Sequence, residues 1–305
     1  MEKILKFGGT SCGSIQSIEQ VVSIIEKNVK SQSQFSVVFS AMSGVTNQLL
    51  EAGSLASKGK KNALELVEQI ENRHFEVIKY FIPIKGQSQV IANIRNLVNE
   101  LKDVLKGITL LKEISPKSSD LLVSFGERLS TTLIFYILRE KNLDVEFVDA
   151  REIIKTNDEF GKSEVDFTLS NPLIQSYFAN LGNKIGLVTG FIGSNTKGET
   201  TTLGRGGSDY TASIIGAALG VKEVEIWTDV DGIMTADPRK VSTAFTIPSI
   251  SYAEAMELTH FGAKVIYPPS LQPAFQKEIP IRVLNTFNAR SEERRVGKEC
   301  LRLCR

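Results

Sequence analysis

The sequence lacks a surplus of either charge, lacks a cysteine framework and lacks a long unbroken apolar run. Its 36 basic and 35 acidic residues leave a formal net charge of +1 over 305 residues. That balance, with both signs interleaved along helical stretches such as "ENRHFEVIKY", describes a solvated surface and excludes a nucleic-acid-binding face. Cys12, Cys300 and Cys304 are the three cysteines, two of them in the last six residues, so no disulfide scaffold is built and a reducing, cytoplasmic setting is expected. The opening "MEKILKFGG" has neither an apolar signal core nor a small-residue cleavage site, and no window is expected to have the apolar length of a membrane span. The expectation is a soluble, unprocessed protein without a membrane partner.

What is present is an alternation. The length suits one large α/β domain or two smaller ones. Short β-branched or aromatic runs ("KILKF", "FSVVFS", "VEFV", "KIGLVT", "VEIWT", "IRVL") are separated by helical patterns at 15–30, 88–106, 127–141 and 208–219. Strands that are nearly all apolar, separated by helices, predict a three-layer α/β/α sandwich with a mostly parallel central sheet. Residues 58–115 carry amphipathic stretches with few strand signals and are expected to form a helical insertion without chemistry. "TGFIGSNTKGETTTLGRGG" predicts an antiparallel hairpin ending in a glycine cluster. The tail "RSEERRVGKECLRLCR", residues 290–305, shifts composition abruptly and is expected to be non-native or disordered.

Four clusters carry chemistry. "KILKFGGTSCGS" sets Lys6 near a strand end, then Gly8 and Gly9, then a helix start, an order in which backbone N–H groups can approach an anion. A packing glycine turn fits the same stretch. The Walker A pattern fails, because Ser14 stands where its lysine belongs, and a phosphatase loop fails, because Ile18 replaces its arginine. "TTLGRGGSDYTASIIGAALG" offers Arg205 and Gly206 in a glycine cluster, Ser208 as an N-cap, and Asp209 as either a capping charge or an acid for an ammonium or metal. A dinucleotide fingerprint is excluded, since Asp209 replaces its third glycine. "WTDVDGIMTADPRK" puts Thr228 and Asp229 at the carboxyl edge of a strand, where open α/β sheets bind ligands, and Arg239 and Lys264 add cations suited to phosphates. Finally, "SFGERLS" and "SAMSGVTN" place Glu127 at an expected helix start and Ser40 and Thr46 around a turn, each either a cap or a ligand.

Taken together, "KFGGTS", "SFGERLS", "TTLGRGGSDYTA", "WTDVDGIMTADPR" and "FGAKVIYPPS" resemble aspartate kinase, of the amino acid kinase superfamily, over residues 3 to about 288. The wording from "SYAEAMELTHFGAKV" to "RVLNTFN" is most similar to the kinase portion of a bifunctional aspartokinase and homoserine dehydrogenase. The resemblance implies the carbamate-kinase-like sandwich fold and a catalytic domain over 1–289. Its acceptor-binding part would be about 1–200 and its nucleotide-binding part about 201–289, with ACT and dehydrogenase domains absent. It implies that Lys6 contacts the transferring phosphoryl group, that Asp209 organises the centre with it, and that Gly8, Gly9 and Ser11 line the phosphate channel. Ser40, Thr46, Glu127, Arg205 and Gly206 would hold L-aspartate, with Arg205 on a carboxylate and Glu127 on the ammonium. Thr228, Asp229, Met234, Asp237, Arg239 and Lys264 would hold ATP. Met234 replaces the tyrosine of many relatives, and Cys12 replaces an aliphatic residue.

The implied reaction passes the γ-phosphoryl group of ATP, with Mg²⁺, to the aspartate side-chain carboxylate, the first step toward lysine, threonine and methionine, with a homo-oligomer as a possible assembly. Positioning and charge neutralisation suffice for such a transfer, and no histidine base or protein-held metal cage is needed. His74 is expected on the surface, and His260 in packing or at the pocket wall. Two other readings stay open: a superfamily kinase for glutamate, an acylated amino acid, a carbamate or a nucleotide, and a catalytically silent binding module.

Overall fold

The structure, a computed structural model, describes residues 1–236, 241, 243–260 and 267–288. In chain order its elements are β1 (Lys3–Phe7), α1 (Ile15–Lys30), β2 (Phe35–Phe39), α2 (Val45–Ser57), α3 (Asn62–Phe81), α4 (Ile84–Leu111), α5 (Pro116–Glu140), β3 (Val145–Val148), α6 (Ala150–Ile153) and β4 (Lys155–Thr156). There follow α7 (Phe167–Asn180), β5 (Ile185–Thr189), β6 (Ile192–Asn195), β7 (Thr200–Thr202), α8 (Gly207–Leu219), β8 (Glu223–Thr228), α9 (Tyr252–His260), α10 (Gln272–Gln276) and β9 (Ile281–Asn285).

Strands β3-β5-β2-β1-β8-β9 form one sheet in that order, every neighbouring pair parallel. The alternation of side chains along each strand divides the core in two. Leu5, Phe7, Val37, Phe39 and Trp227 face α1 to α5, whereas Ile4, Val38, Val224 and Ile226 face α6, α7 and α8. This is the expected three-layer sandwich with a parallel sheet. Phe39 and Trp227 are the register partners of Phe7, and their rings stack on its ring at 5.8 and 6.0 Å. The carboxyl edge of the three central strands thus rests on an aromatic ladder, a rigid base for the loops that leave it.

The insertion between β2 and β3 is helical, as expected, and β6 pairs antiparallel with β7 in the predicted hairpin. Helix α1 starts where Ser14 accepts a hydrogen bond from the Ser17 N–H at 3.1 Å, and α5 starts at Ser115 followed by Pro116.

Two expectations fail in α5. By length and composition it is apolar enough to cross a membrane, contrary to the sequence reading, but 72% of that apolar window is buried inside the fold, packed through Leu122, Phe125, Leu129 and Leu133. Glu127, expected at a helix start, instead lies mid-helix and cannot be an N-cap. His74 is a third correction: it is fully buried, not on the surface.

Candidate functional site

A cavity of about 570 Å³ opens at the carboxyl edge of the main sheet, between the ends of β1, β2 and β8 and the first turns of α2 and α8. Twelve of the residues singled out in the sequence line it: Lys6, Gly8, Gly9, Ser40, Thr46, Glu127, Arg205, Gly206, Ser208, Asp209, Thr228 and Asp229. A second, larger cavity of about 680 Å³ lies at the opposite edge, against Gln34, Phe35 and Ile185, and contains none of them.

Strand alternation explains Lys6. It follows Leu5 and precedes Phe7, both on the α1–α5 face, so its side chain points toward α8. There its Nζ meets Asp209 Oδ1 at 2.6 Å, with the two side chains only 10% and 13% exposed. The contact is charge to charge, since Asp209 Oδ1 is buried and receives no aligned hydrogen bond. A phosphate oxygen entering the cavity therefore finds an ammonium already held in place and only partly neutralised.

Glu127 reaches the same cavity from α5. Its side chain is buried, its Oε2 has no hydrogen-bond partner, and burial pushes its carboxyl up to about 8, against the pull of a hydrogen bond from the Ala41 backbone and of the Lys6 charge. A buried acid with an empty lone pair at a cavity wall is suited to an incoming cation. The loop opposite is pinned by the Ser130 hydroxyl, which donates to the Ser40 carbonyl at 2.7 Å.

Two helix N-termini converge here. Helices α2 and α8 are preceded by Gly44 (φ 83°) and Gly206 (φ 71°), left-handed caps that bring no side chain to the first turn. Ser208, expected as the N-cap, instead lies inside the first turn of α8. Uncapped first turns leave their N–H dipoles for an anionic ligand. Arg205, exposed at the mouth, lies over the Tyr267 ring at 5.5 Å.

Some nominated residues lie elsewhere. The Ser11 hydroxyl is buried and shares a hydrogen bond of 2.8 Å with Thr286, so Thr10 and not Ser11 reaches the cavity. Met234 pairs with Thr246 in a small β-bridge away from the cavity wall. Asp237, Arg239, Lys264, Cys300, Cys304 and the tail 290–305 lie outside the described residues, as does the side chain of His260. Cys12 is fully buried and burial pushes its thiol up to about 12, which suppresses the thiolate and leaves a packing residue.

The sequence reading missed Thr10, Ser43, Asn47 and Phe191 on the cavity wall. Phe191 has φ 70°, a conformation that costs a bulky residue about 1–3 kcal/mol. It is held by the Thr211 hydroxyl, which accepts from the Phe191 N–H at 3.0 Å and donates to the Gly207 carbonyl at 2.9 Å. No sequence spacing signals such a residue; only the turn geometry between β5 and β6 does. Among the described residues, no group of three or more His, Cys, Asp or Glu side chains could cage a metal ion.

Residues 1–285 match the profile of the amino acid kinase family. The chain is 39% identical over 293 residues to a bifunctional aspartokinase/homoserine dehydrogenase of Buchnera aphidicola, covering 95% of this chain and 36% of that relative. It is 37% identical over 297 residues to the lysine-sensitive aspartokinase 3 of Escherichia coli, covering 94% of this chain and 62% of the relative. The structure of E. coli aspartokinase III with aspartate and ADP superposes with a TM-score of 0.87 at 36% identity, over 95% of this chain and 63% of that one. The chain therefore spans less than two thirds of each relative's length.

Proposed function

The chain belongs to the amino acid kinase family, and on that premise we propose that it transfers the γ-phosphoryl group of ATP to the side-chain carboxylate of L-aspartate, giving ADP and 4-phospho-L-aspartate. One observation carries the reading: a single cavity offers a held ammonium at Lys6, a buried unpaired carboxyl at Glu127 and a guanidinium at Arg205. A free amino acid has an ammonium and a carboxylate to be matched, and an acyl-phosphate reaction adds a phosphate chain.

In this reading Glu127 receives the acceptor ammonium, Arg205 forks onto its α-carboxylate, and Ser40, Thr46 and Gly206 complete the pocket. Lys6, Gly8, Gly9, Thr228 and Asp229 line the path of the phosphates, with Ser11 supporting the turn, Arg239 and Lys264 as further cations for the phosphates, and Met234 and Asp237 assigned to the nucleoside side. The attacking group is already an anion, so no base is required. One acceptor oxygen bonds to the γ-phosphorus as the bond to the β–γ bridging oxygen breaks and ADP leaves with the electron pair. Charge builds on the equatorial oxygens and on ADP, where Lys6 and the first turns of α2 and α8 lie. Asp209 and Asp229 at the cavity wall would hold a Mg²⁺ ion brought with the nucleotide, an ion that asks for only one or two protein carboxylates. When bound, it supplies further neutralisation of the phosphate charge.

The same reading takes residues 1–289 as the kinase domain, with the acceptor part about 1–200 and the nucleotide part about 201–289. It takes the product as the first intermediate toward lysine, threonine and methionine, and the setting as cytoplasmic, with a homo-oligomer as the assembly. Hydroxylamine trapping tests it: the chain with ATP, Mg²⁺ and aspartate should yield ADP and aspartyl hydroxamate. ADP release with glutamate, an N-acyl amino acid, a carbamate or UMP, and none with aspartate, would reassign the acceptor.

A further inference from the structure

The helical insertion, expected to carry no chemistry, sends one side chain to the edge of the site. Arg73 of α3 donates from one terminal nitrogen to the Ser43 carbonyl at 3.0 Å and from the other to the Gly13 carbonyl at 3.2 Å. These carbonyls belong to the two loops that leave the central strands: the 8–14 turn after β1 and the 40–44 loop after β2. Gly8 and Gly9 of the first, and Ser40, Ser43 and Gly44 of the second, line the cavity.

The loops also meet directly: a Cβ on Gly9 would lie 3.1 Å from the Ala41 carbonyl oxygen. The Ser43 N–H donates to the Gly9 carbonyl at 3.0 Å, and a Cβ on Gly13 would lie 3.1 Å from the Ser43 Cβ. Arg73 spans this seam from outside. Among the described residues its guanidinium pairs with no carboxylate, so both of its hydrogen bonds are committed to backbone. The planar fork fixes the distance between two acceptors in a way that a flexible ammonium cannot. Its own helix is anchored independently: the Tyr80 hydroxyl donates to Glu19 Oε1 on α1 at 2.7 Å, and Gln48 on α2 donates to Gln69 at 3.3 Å.

We propose that Arg73 is a positioning residue, clamping the 8–14 turn to the 40–44 loop so that the phosphate side and the acceptor side of the cavity keep a fixed separation. It is not among the residues that line the cavity. Its kinetic consequence rests on the phosphotransfer reading above, whereas its effect on the two loops does not.

The test has an arm for each. In hydrogen–deuterium exchange on the unliganded chain, Arg73→Ala should speed exchange across 8–14 and 40–46 by about fivefold or more. Tyr80→Phe, which removes a tie of the same helix elsewhere, should leave those segments unchanged, and Arg73→Lys, which can serve one carbonyl, should fall between. In turnover, Arg73→Ala should raise KM for ATP and for aspartate together and lower kcat/KM about tenfold, with partial recovery on adding millimolar guanidinium. Unchanged exchange in both loops would overturn the proposal, as would equal loosening by Tyr80→Phe. A wild-type chain inactive toward aspartate would sink the phosphotransfer reading alone, leaving the exchange arm to decide on Arg73.

Discussion

Lys6 Nζ stands 2.6 Å from Asp209 Oδ1, joining the penultimate residue of β1 to the first turn of α8. The pair brings the two glycine-rich stretches of the sequence into one site. It also orders the site electrostatically, because an ammonium tethered at a strand end cannot swing away before a phosphate arrives.

Removing one partner should cost more than activity. Lys6→Met leaves Asp209 buried beside no cation, a loss of about 3 kcal/mol in stability, and removes a cation from the phosphate path, a loss of about 10²–10³ in kcat. Lys6→Met combined with Asp209→Asn should regain most of the stability and none of the rate. Chemical denaturation beside a steady-state assay separates the two, and recovery of turnover in the double variant would contradict the catalytic assignment.

If Glu127 receives the acceptor ammonium as proposed, acceptor binding should be a proton-linked event. Unliganded, its carboxyl is raised to about 8 by burial, so it holds a proton at neutral pH; facing a substrate ammonium, the carboxylate form is favoured. Aspartate binding at pH 7 should therefore release a proton, visible as a dependence of the calorimetric heat on the buffer's ionisation enthalpy. The sign for folding follows: between the ordinary 4.5 and about 8 the unfolded chain has lost the proton that the folded chain keeps, so stability falls as pH rises through this window. The full effect is on the order of 5 kcal/mol. Glu127→Gln should flatten that slope and abolish the buffer dependence.

The strands were legible because their apolar runs are short, β-branched and bounded by polar turns, and the match of "KILKF" to β1 is complete. "LLVSF" has the same look, yet it lies inside a long helix covered by other helices, where periodicity cannot tell a buried helix turn from a strand. Glu127 thus reaches the cavity wall from mid-helix and not from the helix start expected of it. Lys6, Arg205 and Asp209 were visible through the glycines around them. Arg73 and Phe191 were not, since one acts through backbone carbonyls and the other through its own φ angle, and neither leaves a spacing pattern.

His74 should work against stability in acid, opposite in sign to Glu127. Its Nδ1–H donates to the Ile70 carbonyl at 2.7 Å, its Nε2 is buried without a partner, and burial pushes its imidazole from 6.5 down to about 4. Below 6.5 the unfolded chain takes up a proton that the folded chain refuses, so stability should drop by about 3 kcal/mol as pH falls toward 4. Glu127 contributes the opposite slope, so urea midpoints at pH 4.5 and 7.5 are compared between wild type and His74→Leu: the variant should gain stability relative to wild type as pH falls. A His74→Leu variant whose midpoint moves with pH just as the wild type's does would mean that the imidazole is not sealed from water.

Gly206 and Gly220 flank α8 with nearly the same backbone angle, φ 71° and 61°, but in different surroundings. A Cβ on Gly220 meets nothing within 4 Å, whereas one on Gly206 would lie 3.0 Å from the Tyr267 Cβ and 3.2 Å from the Ser270 Oγ, beneath Arg205 and at the cavity wall. Both Gly→Ala changes force an L-residue into the left-handed region, about 1 kcal/mol each. Gly220→Ala should stop there, lowering the melting temperature without touching kcat/KM. Gly206→Ala must also displace Tyr267 or the first turn of α8, so it should lose further stability and raise KM for aspartate, because Arg205 and the helix N–H groups move with it. If the two variants melt alike and turn over alike, the first turn of α8 takes no part in binding the acceptor.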